Sequence, residues 1–175
     1  ARRGAEVAVV ADAPAAAGLA HAFAKLRTYH HGLFSALKQR LPQVLRDLAP
    51  GEVAGCLFAF ARSLPPPSKA EPLAFAFDES PRGFGRLFDA LLTRLGEVID
   101  AGAVSGETAL LALHALDVLQ LRDERLLKGL FGALDWPRLV PQDLCTAMHA
   151  AARLEAGPVA APGAALSLAG VTAAR

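Results

Sequence analysis

Two nonapeptides, Leu33-Phe-Ser-Ala-Leu-Lys-Gln-Arg-Leu41 and Leu87-Phe-Asp-Ala-Leu-Leu-Thr-Arg-Leu95, are identical at six of nine positions. Their leucines recur every four residues, which places them on one face of a helix. Leu126-Leu-Lys-Gly-Leu-Phe-Gly-Ala-Leu134 is a weaker third copy that keeps the Leu spacing and loses the Arg. A chain that repeats one helix at long intervals is restricted to folds that stack equivalent units.

A second series lies between these copies. His21-Ala-Phe-Ala-Lys-Leu26, Phe58-Ala-Phe-Ala-Arg62, His114-Ala-Leu-Asp-Val-Leu119 and His149-Ala-Ala-Ala-Arg-Leu154 each place Ala directly after a ring. A basic residue follows the ring by four places in three of them, Lys25, Arg62 and Arg153, with Val118 as the exception. The rings are spaced 37, 56 and 35 residues apart. The long interval contains a proline-rich stretch at 65–83, which reads as an insertion in one repeat. Calling the ring series A and the nonapeptide series B, the order is A, B, A, B, A, B, A. It predicts an all-α fold: an α-solenoid of stacked antiparallel helical hairpins, about three and a half repeats long.

Composition agrees. The 175 residues include 38 Ala and 29 Leu, against 17 Val, Ile and Thr combined, and no Asn. Ala and Leu lead the helix scale while strands favour β-branched residues, so a sheet-based fold is excluded. Apolar residues reach 53%, but charged residues break every apolar run before the roughly 18 residues a spanning helix needs. Two cysteines, Cys56 and Cys145, are too few for a disulfide framework.

The punctuation predicts an Ala-rich lead-in at 1–18, derived from a presequence or flexible. A helical array follows at 19–155, interrupted at 65–83, and then an Ala/Gly/Pro-rich tail at 156–175. Pro42 is expected to break the first B stripe and start a new turn. Ser105 and Glu107 read as a cap for a helix from about 107 to 121, and Pro141-Gln-Asp143 opens the last helix.

Val140-Pro-Gln-Asp-Leu-Cys-Thr-Ala-Met-His-Ala-Ala-Ala-Arg-Leu154 resembles the A-helix of octotricopeptide and heptatricopeptide repeats, the latter found in FAST-kinase-like proteins. Those families open with Pro-Gln-Asp/Glu-Leu and lead into Leu-Trp-Ala-x-Ala-Arg-Leu. Leu48 to Arg62 is similar in the same way, and the likeness extends over roughly 14–155, with His or Phe where the families carry Trp. The resemblance implies an organellar RNA-binding protein, mitochondrial or, as the alternative, chloroplast. Some relatives end in a nuclease-like domain, for which this sequence offers no candidate.

RNA binding needs cations for phosphates and planar groups for bases. Arg40 and Arg94 share a repeat position and are expected on one face; Lys25, Arg62 and Arg153 form a second row. Lys25, Arg27, Lys38, Arg40 and Arg46 make the first hairpin the most basic segment, with His30 and His31 nearby. Any one of these arginines can equally serve a helix C-terminus. His21, His114 and His149 read as packing residues, since equivalent residues in neighbouring repeats should lie a helix pair apart, too far to share a metal. Cys56 and Cys145 read as small buried hydrophobes and Trp136 as a packing anchor at a helix end. Gly83-Phe-Gly85 is too short for a phosphate loop, and Asp117 and Glu124 stand as isolated acids. No catalytic constellation, cofactor or small-molecule substrate is expected.

With 18 basic and 17 acidic residues the net charge is +1. That balance suits a fixed seat on folded RNA and protein, so the expected role is a structural, rRNA-stabilising subunit of a mitochondrial ribosome, in contact with neighbouring proteins of a large complex. The alternatives are a protein-binding solenoid scaffold and a free organellar RNA maturation or translation factor.

Overall fold

The computed structural model describes residues 6, 8–27, 30–63 and 84–154. The proline-rich stretch at 65–83 and the tail at 156–175 lie outside the described residues. Among the described residues every regular element is helical. The helices are α1 (Ala13–Lys25), α2 (His31–Val44), α3 (Pro50–Ser63), α4 (Gly85–Asp100), α5 (Gly106–Leu119), α6 (Glu124–Gly132) and α7 (Pro141–Arg153), with 3-10 turns at Leu45–Asp47 and Trp136–Arg138. Among the described residues no helix is long and apolar enough to cross a membrane.

Side chains at the helix starts satisfy backbone donors that the first turn leaves open. Asp12 accepts from Ala15 N at 3.0 Å, His30 Nδ1 from Leu33 N at 3.1 Å, and Asp123 from Leu126 N at 3.0 Å. Ser105 Oγ accepts from Thr108 N at 3.2 Å, as the sequence predicts. Ahead of α3, the Glu52 carboxylate reaches back to accept from Ala49 N at 2.8 Å. α5 stops where Gln120 turns left-handed at φ 53°.

The helices pack in the order their sequence types suggest. α1, α3, α5 and α7 contact one another in succession, and the α1–α3 and α3–α5 interfaces are the most extensive. α2, α4 and α6 likewise contact in succession, and α2, α4 and α6 each pack on the helix before them in the chain. The core lies between the two rows. The B stripe supplies Leu33, Phe34, Leu37 and Leu41 from α2, Leu87, Phe88, Leu91 and Leu95 from α4, and Leu126, Leu127 and Leu130 from α6, all buried. Each such side chain contributes about 1.5–3 kcal/mol relative to exposure. Phe34 meets Phe60 edge-on at 5.3 Å between centroids, and Phe60 meets Phe84 at 5.7 Å, closing the first two hairpins on each other.

The structure departs from the sequence reading in four places. α1 begins at Ala13, inside the expected lead-in, and Ala8, Ala11, Ala16 and Ala17 are buried. Pro42 lies within α2, exposed, and does not start a new turn; the stripe runs on to buried Val44, while Leu45 is only half-buried. Cys56 is buried but Cys145 is exposed. Asp117 is not isolated: it is 6% exposed and paired across to α7. The weak third B copy has a steric cause at one position. Where the other copies carry Ala36 and Ala90, α6 carries Gly129, and a Cβ there would collide with Ile99 Cγ2 of α4.

Candidate functional site

The A-helix row forms one wall of the molecule, and equivalent positions on it come together. The His21 and Phe58 rings are 6.1 Å apart between centroids, and Phe58 and His114 are 5.2 Å apart, tilted by 47° and 56°. These distances are shorter than a helix-pair width. Ala59 and Ala115 are fully buried, and a small residue at the helix contact lets the rings lean toward each other. His21, Phe58 and His114 are half-buried, so the rings pack between helices and still face outward.

The ring row lines a groove of about 960 Å³ formed by α1, α3, α5 and the start of α7. Within the groove α3 carries acid, ring and base in that order, α5 the acid and ring, and α1 the ring and base. Glu52, Glu107 and Asp143 stand in the first turns of α3, α5 and α7, and all three line the groove. The rings follow. Lys25 and Arg62, in the last turns of α1 and α3, close the other side, with the Arg62 guanidinium 5.7 Å from the Phe58 ring centroid. Leu110, Leu111 and Leu139 add apolar lining. The acids were missed in the sequence, though a signal existed: each precedes the ring of its helix by six or seven residues.

Burial disfavours the charged forms of two imidazoles on this wall. Burial lowers the pKa of His21, and the Lys25 charge lowers it further. His114 is also lowered by burial, with Arg62 and His149 adding to the effect and Asp117 opposing it. His21 Nδ1 is buried with no hydrogen-bond partner. With their charged forms disfavoured, the His21 and His114 rings extend the flat surface of Phe58.

The seven cations expected to bind RNA divide by environment. Lys25 and Arg62 line the groove. Arg153 Nε lies 3.1 Å from Asp117 Oδ1, and His149 Nδ1 lies 3.1 Å from Asp117 Oδ2, so this pair of α7 side chains is turned onto α5. Arg40 and Arg94 make equivalent contacts. Arg40 Nε donates to Ala11 O at 2.7 Å, and Arg94 donates to Arg46 O at 3.2 Å, each tying a B helix to the connection that leads into its own hairpin. Each also bonds within its helix, Arg40 to Gln43 at 2.9 Å and Arg94 to Glu97 at 2.8 Å. Lys38 Nζ lies 5.2 Å over the Phe84 ring, away from the groove. Arg27 is exposed just past α1, with φ 52°.

Trp136 stacks on Phe131 at 6.2 Å and is half-buried, the packing role the sequence suggests. Burial pushes the Cys56 thiol up to about 12, with Glu52 adding to the effect. Among the described residues no group of three or more His, Cys, Asp or Glu side chains is arranged to hold a metal ion. Comparison with known proteins finds no family model, no curated protein and no solved structure that matches this chain.

Proposed function

We propose that this chain is an RNA-binding α-solenoid whose ligand lies along the A-helix groove. The solenoid reading is supported by the two successions of helix contacts and by rings of equal repeat position meeting in register. The observation that carries RNA binding is the row His21, Phe58, His114 flanked by Lys25 and Arg62. Single strands are held where bases stack on flat side chains while cations track the backbone. Carboxylates such as Glu52, Glu107 and Asp143 are suited to accept from exocyclic amino groups of bases. This moves the interface from Arg40 and Arg94 to the opposite row of helices.

The near-neutral charge suits a fixed place on folded RNA, and the proposal extends to a structural subunit of an organellar ribosome, mitochondrial or chloroplast. The octotricopeptide likeness of the A-helices points the same way. A second reading is favoured by the three acids facing two cations: a peptide groove with a basic and an acidic edge.

Phe58→Ala and Phe58→His separate the roles. Stacking is worth about 1–3 kcal/mol per base, so Phe58→Ala should lower single-stranded RNA affinity about tenfold or more, while Phe58→His, the ring that other repeats carry, should largely keep it. RNA affinity untouched by Phe58→Ala in a folded protein excludes the groove. Co-sedimentation with organellar ribosomal particles that is lost on RNase treatment supports the ribosomal placement, and survival of RNase favours protein contacts.

A further inference from the structure

We propose that the open face of α7 seats a leucine-faced amphipathic helix of another protein, standing to α7 as α6 stands to α5. Val140, Leu144 and Met148, spaced by four residues, are 56%, 38% and 42% exposed. That spacing makes one apolar stripe. Sequence register shows what it is shaped for. His114 and His149 are 35 residues apart, and the same interval maps Leu144, Met148 and half-buried Ala151 onto Ala109, Leu113 and Leu116. All three of those α5 residues are fully buried, in a helix that carries α6 packed against it.

By sequence register the stripe continues a set of positions that are buried on α5, and α7 is the A-helix for which the described residues hold no B helix.

The chemistry of the occupant follows from the three B helices. Each has Leu followed by Phe or Leu, then Leu three places on: Leu33-Phe34 and Leu37, Leu87-Phe88 and Leu91, Leu126-Leu127 and Leu130. Residues 155–175 contain no aromatic residue and no such spacing, so their sequence does not supply that face. A helix with it, brought by a partner, does. The inference is independent of the RNA reading, since the stripe lies off the groove.

The probe is a fluorescent peptide with the sequence of α4, Gly85–Asp100, titrated with the full chain and read by anisotropy. The expected result is saturable binding that Leu144→Asp/Met148→Asp weakens by at least about tenfold, while Val10→Asp, at an exposed site 77% accessible, leaves it unchanged. Absence of saturable binding, or equal affinity for the double variant, overturns the proposal. Two further measurements decide between occupants. A wild-type dimer by light scattering that the double variant abolishes shows a second copy on the face and overturns it. A loss of more than about 5 °C in Tm in the double variant shows that residues 155–175 already cover the stripe and overturns it as well.

Discussion

Arg153 Nε lies 3.1 Å from Asp117 Oδ1, joining the last A-helix to the one before it. Asp117 is also 3.1 Å from His149 Nδ1 through its other oxygen, and its side chain is 9% exposed. A buried carboxylate left without its partner costs about 3–5 kcal/mol, but Arg153 is half-exposed and solvent screens part of that. Arg153→Ala should therefore destabilise the protein by about 1–3 kcal/mol, and hydrogen exchange should locate the loss in α7. RNA affinity should change far less. A variant as stable as wild type would show that the pair is dispensable.

Two glycines should respond with opposite sign. At Gly129 a Cβ would overlap Ile99 Cγ2, on a β-branched side chain packed between α4 and α6. Gly129→Ala should cost about 1–3 kcal/mol through overpacking. Gly18, inside α1, has nothing within 4 Å of its built Cβ. Gly18→Ala should raise stability by about 0.4–1 kcal/mol, because it restricts the unfolded chain. Urea midpoints of the two variants on either side of wild type check both; a shared direction would contradict the close α4–α6 approach.

Acid should weaken the fold through the ring row. The pKa values of His21 and His114 are lowered in the native state by burial. In that case the unfolded chain binds more protons over the window between the two states. The stability contributed by the neutral rings is complete above the unfolded value of about 6.5 and is lost as pH falls below it toward the native pKa. The urea midpoint should drop between pH 7.5 and 5.5, and His21→Phe/His114→Phe, which makes both positions resemble Phe58, should reduce that drop. An unchanged pH dependence in the double variant would place its origin elsewhere.

The two thiols should differ sharply. Cys145 is exposed and Cys56 is buried with its pKa pushed up to about 12. Since the thiolate is the reactive form, a disulfide reagent at pH 8 should label one thiol quickly and the second only with denaturant. Cys145→Ser should abolish the fast phase. Two fast phases would mean that α3 opens readily.

Much of the helical order was legible because Leu and Phe contrast with their polar neighbours. The stripe Leu33, Leu37, Leu41 and its copy Leu87, Leu91, Leu95 mark the inner face of α2 and α4 without ambiguity. α1 was harder: Ala15 is exposed and Ala16 buried, and an alanine-rich helix offers no amphipathic contrast to read. Pro42 misled because the lost hydrogen bond and ring clash of a proline fall near the end of α2, where the following turn is already 3-10.

The site was half legible. Ring spacing placed His21, Phe58 and His114 in one row, yet the meeting of rings at 6.1 and 5.2 Å depends on how closely the helices approach, which local pattern does not encode. Equal repeat position told that Arg40 and Arg94 act alike, but not that both would bind backbone carbonyls. Such bonds join residues 29 and 48 apart in the chain, beyond the reach of local pattern. Glu52, Glu107 and Asp143 were hidden because an acid in a first helical turn already has a reason to be there.

The most direct test of the groove as an RNA interface is the salt dependence of single-stranded RNA binding by wild type, Lys25→Glu/Arg62→Glu and Lys128→Glu. Lys25 and Arg62 line the groove, while Lys128 is exposed on α6 in the other row. Each phosphate contact on a single strand contributes a slope of about −0.7 in log K against log salt. The groove variant should bind weakly and lose roughly 1.4 of the wild-type slope, with Lys128→Glu unchanged. Equal slopes and affinities in all three proteins would contradict the assignment.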